Sequence, residues 1–354
     1  MKDDVVWRSW NVTKLFFLVS GEHQTLPFAE IRAILESENL PLTESAVLTQ
    51  VLCVNTKMES VPLVANRSSM TKTCGLELFR SGIGMKEIQQ NVKDVSYGAY
   101  LNKGESFSVR VKSIGTAYTD TLRLEGEIGR TISGLCEGVG VDLTNPDRRF
   151  FGVLTDSILI FGVKLSEISA NRFQDRMPGR RPFRHPSTML PKLARCMVNL
   201  ARVKPGSLVL DPFCGSGSIL VEAGAMGCRV YGLDIKDRMV KGCLSNLDYV
   251  GYPYEGLLVG DAGKLPFRAF DGIITDPPYG RASSTHGKST KTLVSEFLSD
   301  AMSVLPTGGY ISIALPDTNA WETMAVDMGY DVVEGHFVRE HKSLTRVLLV
   351  IKKP

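Results

Sequence analysis

Residues Leu208–Ser218, LVLDPFCGSGS, decide the fold. An apolar strand ends at Asp211, a glycine-bearing turn follows, and a helix begins after Gly217. Gly215 and Gly217 allow a tight backbone turn and close approach of a ligand. In a doubly wound sheet, ligands bind beyond the carboxyl ends of the strands, where such a turn sits. The segment lacks the G-x-G-x-x-G dinucleotide pattern and has no P-loop lysine. Taken alone, a glycine-rich turn is structural by default, so its neighbours must be read with it.

Those neighbours form a series of acids at strand ends. Val230–Ile235, VYGLDI, places Asp234 at the end of the next strand, 19 positions after Gly215, with Ile235 directly behind it. An acid at about that distance accepts hydrogen bonds from ribose hydroxyls in nucleoside-binding sheets. The plainer reading is a helix-capping aspartate. Val259–Leu265, VGDAGKL, sets Asp261 and Ala262 after a third strand, in position for the adenine amino group of the same nucleoside. Phe213, inside the first turn, belongs to the same candidate cofactor set.

Ile274–Gly280, ITDPPYG, carries the chemistry. Asp276 ends an apolar strand, and Pro277 and Pro278 follow. Proline offers a carbonyl but no N–H, and its φ is fixed. The segment therefore presents acceptors only, with an aromatic ring at Tyr279. That set suits a planar base bearing an amino group, whose hydrogens Asp276 and the Pro277 carbonyl can accept. Stacking on Tyr279 would add ~1–3 kcal/mol. A structural Pro-Pro turn explains neither the preceding Asp nor the following Tyr.

Around these motifs, strands and helices alternate from Leu190 onward, which predicts a mostly parallel sheet. Strands are expected at 207–210, 229–233, 257–259, 272–275 and 310–315, and helices at 191–201, 217–226, 236–250, 291–305 and 321–328. Residues 331–339 and 346–351 predict a closing hairpin. Upstream, the pattern is α+β: strands at 14–20, 50–55 and 107–111, helices at 27–37, 85–94 and 121–135, and two strands within 151–165. Residues 171–185, NRFQDRMPGRRPFRH, hold five arginines against one acid, Asp175, and are broken by Pro178, Gly179 and Pro182. They read as a basic linker, either solvated or touching phosphate.

The 354 residues, 43% hydrophobic and 22% charged, are ordinary globular composition with room for more than one core. A net charge of +3 permits a nucleic-acid partner without demanding one. Seven cysteines with no C-x-x-C spacing and five scattered histidines give no support for a zinc site and fit reduced thiols inside a cell. No apolar run reaches the length of a signal peptide or a membrane span. A cytoplasmic protein without a membrane or metal partner is expected.

DPFCGSG followed by DPPYG resembles the class I amino-methyltransferases. More narrowly, RPFRHPSTMLPKLARCMVNLA (181–201), DPFCGSGSILVEAG (211–224), TDPPYGR (275–281) and HKSLTR (341–346) resemble the archaeal tRNA (guanine(10)-N2)-methyltransferases. LEGEIGRTISGL (124–135) with VGVDLTNPDRRFFGVLTDSILIFGVKL (139–165) resembles their THUMP RNA-binding domain. The resemblance implies an α/β, Rossmann-like methyltransferase domain over 185–354. Before it would come a ferredoxin-like region over 1–60, a THUMP domain over 61–166 and a basic linker over 167–184.

It implies S-adenosylmethionine as cofactor, tRNA as partner, and methylation of guanine N2 once or twice. Asp211, Phe213, Gly215, Gly217, Asp234, Ile235, Asp261 and Ala262 would hold the cofactor. Asp276, Pro277, Pro278 and Tyr279 would act on the base. Arg180, Arg181, Arg184, Arg281, His341, Lys342 and Arg346 would meet the RNA. A monomer is expected, with a small activating protein as an option. Related enzymes acting on another tRNA guanine carry NPPYG, so Asp276 sets this chain apart from them. The alternatives are a methyltransferase of a different tRNA guanine, an adenine-N6 methyltransferase of nucleic acid, a protein-glutamine methyltransferase (for which NPPY would be expected), and a tRNA-binding protein with a degenerate catalytic domain.

Overall fold

The computed structural model describes residues 12–115, 120–186, 188–278, 289–317, 320–341 and 344–354. These residues fall into two compact units. One takes the described residues up to Phe28, with Asn39–Asn66 and Met70–Ser169. The other takes Ala29–Glu38, Arg67–Ser69 and Ala170–Pro354.

Up to residue 167 the elements are β1 (Thr13–Val19), α1 (Leu26–Ser37), β2 (Thr43–Leu48), β3 (Val51–Thr56), α2 (Ser60–Arg67), β4 (Thr71–Gly82), α3 (Met85–Asp94), β5 (Ser106–Ser113), α4 (Thr121–Leu135), β6 (Gly140–Val141), β7 (Arg148–Thr155) and β8 (Ile158–Glu167). The strands make one sheet in the order β2-β3-β1-β4-β8-β7-β5-β6. β1 is buried almost throughout because its apolar run, LFFLV, is covered on both faces. α4 buries Leu124, Ile128 and Ile132 along one stripe, and Asp120 caps it by accepting from the Arg123 N–H at 3.1 Å. The turn from β7 to β8 places Asp156 and Ser157 at φ 50° and 61°, the geometry of a two-residue hairpin. Antiparallel β1–β4 and β4–β8 pairing joins strands from both sides of residue 60 in one sheet.

The second unit contains α5 (Pro191–Leu200), β9 (Leu208–Asp211), α6 (Ser218–Ala225), β10 (Arg229–Asp234), α7 (Asp237–Val250), β11 (Gly256–Val259), β12 (Gly272–Thr275), α8 (Thr290–Val304), β13 (Tyr310–Pro316), α9 (Trp321–Asp327), β14 (Asp331–His341) and β15 (Leu344–Lys352). Its sheet runs β11-β10-β9-β12-β13-β15-β14. The first five are parallel, and β15 is antiparallel to both β13 and β14. This is a Rossmann-like α/β sheet. The chain steps outward from β9 through β10 to β11, then returns to the other side of β9 with β12. The crevice at that reversal lies at the carboxyl ends of β9 and β12, where such sheets bind ligands. Ile273, Phe297, Ile311, Ile313, Trp321, Leu349 and Ile351 form the buried core beneath it.

The stretch before α5 is shaped rather than loose, with short 3-10 turns over Ala170–Arg176 and Pro178–Arg180. All seven cysteines are free thiols. Among the described residues, no helix is long and apolar enough to cross a membrane, and no His/Cys/Asp/Glu group is suited to a metal ion.

Candidate active site

The turn after β9 is built for glycine. Gly215 and Gly217 sit at φ 52° and 81°, both left-handed. A Cβ on Gly217 would lie 2.6 Å from Cys243 Sγ on α7, so the position excludes side chains on two counts. The turn is tied to its neighbour strand. Asp234 Oδ2 accepts from the Gly215 N–H at 3.0 Å, and Oδ1 accepts from the Lys236 N–H at 2.9 Å. Burial raises the Asp234 pKa against the lowering effect of these two bonds. Asp234 stays half-exposed, and Ile235 behind it is 44% exposed.

Asp211 lies at the foot of the turn. Its side chain is buried, and Oδ1 accepts from Thr275 Oγ1 at 2.7 Å and from the Phe213 N–H at 3.1 Å. The carboxylate shapes the turn and fastens β9 to the tip of β12. Burial, with Asp276 and Asp234 adding like charge, pushes it up to about 7. Thr275, which the sequence did not single out, makes this link. Phe213 is half-buried and edge-to-face with Phe297, with ring centroids 5.7 Å apart. Asp261 is half-buried, its Oδ1 accepting from the Gly263 N–H at 2.9 Å, and Ala262 is buried.

Asp276 follows β12 directly. Its Oδ2 lies 3.1 Å from Arg346 Nη1, with side-chain exposures of 18% for the acid and 9% for the arginine. Arg346 is therefore an inward-facing partner of Asp276. Pro277 is buried and Pro278 half-buried. Tyr279, Arg281 and Lys342 lie outside the described residues. His341 ends β14, paired with Leu344.

The basic stretch also divides. Arg180 and Arg184 are exposed, the former 3.1 Å from Asp175. Arg181 is only 1% exposed, with Nε donating to the Arg176 carbonyl at 2.8 Å. Its guanidinium is turned into the protein, unlike those of Arg180 and Arg184. The inward pull has a source that sequence reading missed. Glu222 on α6 is fully buried and pairs with Arg176 Nε at 2.6 Å and Arg195 Nη2 at 3.0 Å. A lone charge in the apolar helix SILVEAGA was the available signal, because a buried carboxylate needs cations.

The donor set fits the expected cofactor. Asp234 is oriented by two backbone N–H groups at a strand tip and stands next to an exposed aliphatic side chain, with Asp261 beyond it. Such a set offers acceptors to a ribose diol and an adenine amine, and an apolar surface to a purine ring. Separately, in the first unit, Tyr100, Arg148, Arg149 and Lys164 help line a cavity of about 420 Å³ that contains none of the strand-tip acids.

The chain is similar to known proteins in sequence and in fold. A family model described as "RMKL-like, methyltransferase domain" matches residues 178–346. A model of DNA methylases matches 86–245, a span that stops short of Asp276. The chain is 35% identical over 341 residues to the tRNA (guanine(10)-N2)-dimethyltransferase of Methanothermobacter thermautotrophicus, covering 96% of this chain and 99% of that protein. It is 33% identical over 328 residues to the enzyme of the same name from Pyrococcus abyssi, covering 92% and 95%. The fold matches the crystal structure of TrmN from Thermus thermophilus with a TM-score of 0.53 at 21% identity, over 96% of this chain and all of that one.

Proposed function

Because the chain belongs to the tRNA (guanine(10)-N2)-dimethyltransferase family, we propose that it methylates the exocyclic N2 of guanine 10 in tRNA, once and then a second time. The cofactor is S-adenosylmethionine, which supplies a methyl group on a sulfonium. Asp234, Ile235 and Asp261, around the Gly215–Gly217 turn, hold it. The observation that carries the reading is the 2.7 Å bond from Thr275 Oγ1 to Asp211 Oδ1. It ties the cofactor turn to the acceptor cluster that begins at Asp276, so donor and base meet at one crevice.

Guanine N2 is a weak nucleophile because its lone pair is delocalised into the ring. In the first transfer Asp276 and the Pro277 carbonyl accept its two hydrogens, favour a pyramidal nitrogen and aim its lone pair; in the second a single hydrogen remains to be accepted, and each transfer forms one N–CH3 bond, breaks one S–CH3 bond and gives up one N2 proton to the acceptor side. Holding reacting atoms at ~3–3.5 Å supplies much of the rate. Acceptors facing the positive charge that develops on nitrogen add to it. The base must leave its stack to arrive there, with Tyr279 as a stacking surface.

The first unit is the RNA-holding module, with a THUMP domain over 61–166. The resemblance of 124–165 and the exposed cation Arg149 support this. Arg180, Arg184, Arg281, His341 and Lys342 complete the RNA side. The enzyme works in the cytoplasm as a monomer, an arrangement that leaves room for a small activating protein.

The test is nucleoside mass spectrometry of tRNA after incubation with protein and cofactor, mapped to position. Asp276→Ala should lower methyl transfer by about 100-fold or more while cofactor affinity holds. Asp234→Ala should weaken cofactor binding first. Product on an adenine, or wild-type transfer by Asp276→Ala, would defeat the proposal.

A further inference from the structure

The residues preceding α5 wrap the outside of the cofactor turn and bond to both serines that flank Gly217. Arg181 Nη1 donates to Ser218 Oγ at 3.1 Å, and Ser218 Oγ donates onward to the Met189 carbonyl at 2.9 Å. Ser216 is held twice. Its carbonyl accepts from Asn246 Nδ2 at 2.8 Å, and its hydroxyl lies 2.9 Å from Thr188 Oγ1. Asn246 grips the same wrapping segment through both backbone groups of Phe183, at 3.0 Å each. Phe183 in turn lies against α7 where Gly242 leaves space, since a Cβ there would come within 2.2 Å of its Cδ1. The start of the segment is anchored by Arg176 on Glu222, one turn along α6 from Ser218.

A turn with two left-handed glycines has a large conformational entropy to lose when it is ordered. If binding had to supply that order, cofactor affinity would fall; a turn fixed beforehand avoids the cost. The bonds to Ser216 and Ser218 are placed to fix it, and Arg181 contributes the charged one.

We propose that Arg181 is a positioning residue for the cofactor. Its buried guanidinium fixes Ser218 so that, with Asn246 fixing Ser216, the Gly215–Gly217 turn is set before the cofactor arrives. This rests on the reading of that turn as the cofactor site. The arginine-rich stretch then has two separate duties: Arg176 and Arg181 serve the turn, while Arg180 and Arg184 remain available to RNA.

The experiment compares Arg181→Met with the wild-type full chain. Calorimetry gives the S-adenosylmethionine Kd well below the melting temperature, and filter binding gives the tRNA Kd without cofactor. Loss of a charge-assisted hydrogen bond predicts a cofactor Kd raised about 10-fold or more, with tRNA affinity unchanged. Arg181→Lys should recover part of the loss. Ser218→Ala should raise the cofactor Kd too, and the double variant should cost less than the product of the two. A cofactor Kd within about twofold of wild type in Arg181→Met, with weaker tRNA binding, overturns the proposal. Should Arg181→Met not fold, an unchanged cofactor Kd in Ser218→Ala overturns it equally. Failure of the wild-type chain to bind the cofactor at all would instead remove the cofactor reading.

Discussion

Arg346 Nη1 lies 3.1 Å from Asp276 Oδ2, which joins β15 to the tip of β12 across the intervening β13. A buried ion pair that loses one partner leaves an uncompensated charge at a cost of about 3–5 kcal/mol. Arg346→Met should therefore lower kcat by roughly 100-fold, because Asp276 would lose its fixed orientation. Cofactor affinity should stay within a few-fold. Arg346→Lys should retain more activity than the methionine variant. Single-turnover kinetics and calorimetry check this, and reduced tRNA affinity with intact kcat would return Arg346 to the RNA side.

Gly217→Ala should damage both stability and cofactor binding. The φ of 81° and the 2.6 Å approach to Cys243 Sγ leave no relaxed place for a methyl group. The left-handed backbone alone costs about 1–2 kcal/mol, a melting decrease of roughly 4 °C in a unit of this size. Adding Cys243→Ala should recover the steric part and leave the backbone part. A single variant that melts with wild type would show the turn to be more plastic than described.

Asp211 predicts a pH dependence of stability. Its pKa rises from the ordinary 3.8 to about 7 in the folded chain, chiefly through burial. Between those values the folded state binds more protons than the unfolded one. The contribution of this group is thus fully present below about pH 4 and is lost as pH rises through about 7. Asp211→Asn keeps an acceptor oxygen for Thr275 and Phe213 but cannot ionise. Relative to wild type it should gain stability across that window, on the order of 1 kcal/mol per pH unit. Thermal melts of both proteins without cofactor at pH 5 and 7.5 decide this; a constant difference would contradict it.

Sequence and structure agree most closely where the signal is local. Gly272–Thr275, Met85–Asp94 and Thr121–Leu135 keep their expected bounds, the first as an apolar run between breakers and the others through helical spacing. The strand-tip acids were legible for a geometric reason, since parallel strands deliver every carboxyl end to the same side of a sheet. β4 was not legible: TKTCGLELFRSG mixes glycine, charge and apolar residues, and its partners on β8 lie 76 to 94 positions away. Arg181, Arg346 and Asp211 show the other limit. Each was visible as a charge, but whether a charge faces water or a buried partner depended on Ser218, Asp276 and Thr275, which lie 37, 70 and 64 positions away in the chain.

The place of β15 separates two tasks along the chain. It sits one position in from the edge of its sheet and carries Arg346. A chain cut after α9 would keep the glycine turn and Asp276 but lose the cation that steadies that carboxylate, so holding the methyl donor and using it are encoded in separate stretches of sequence.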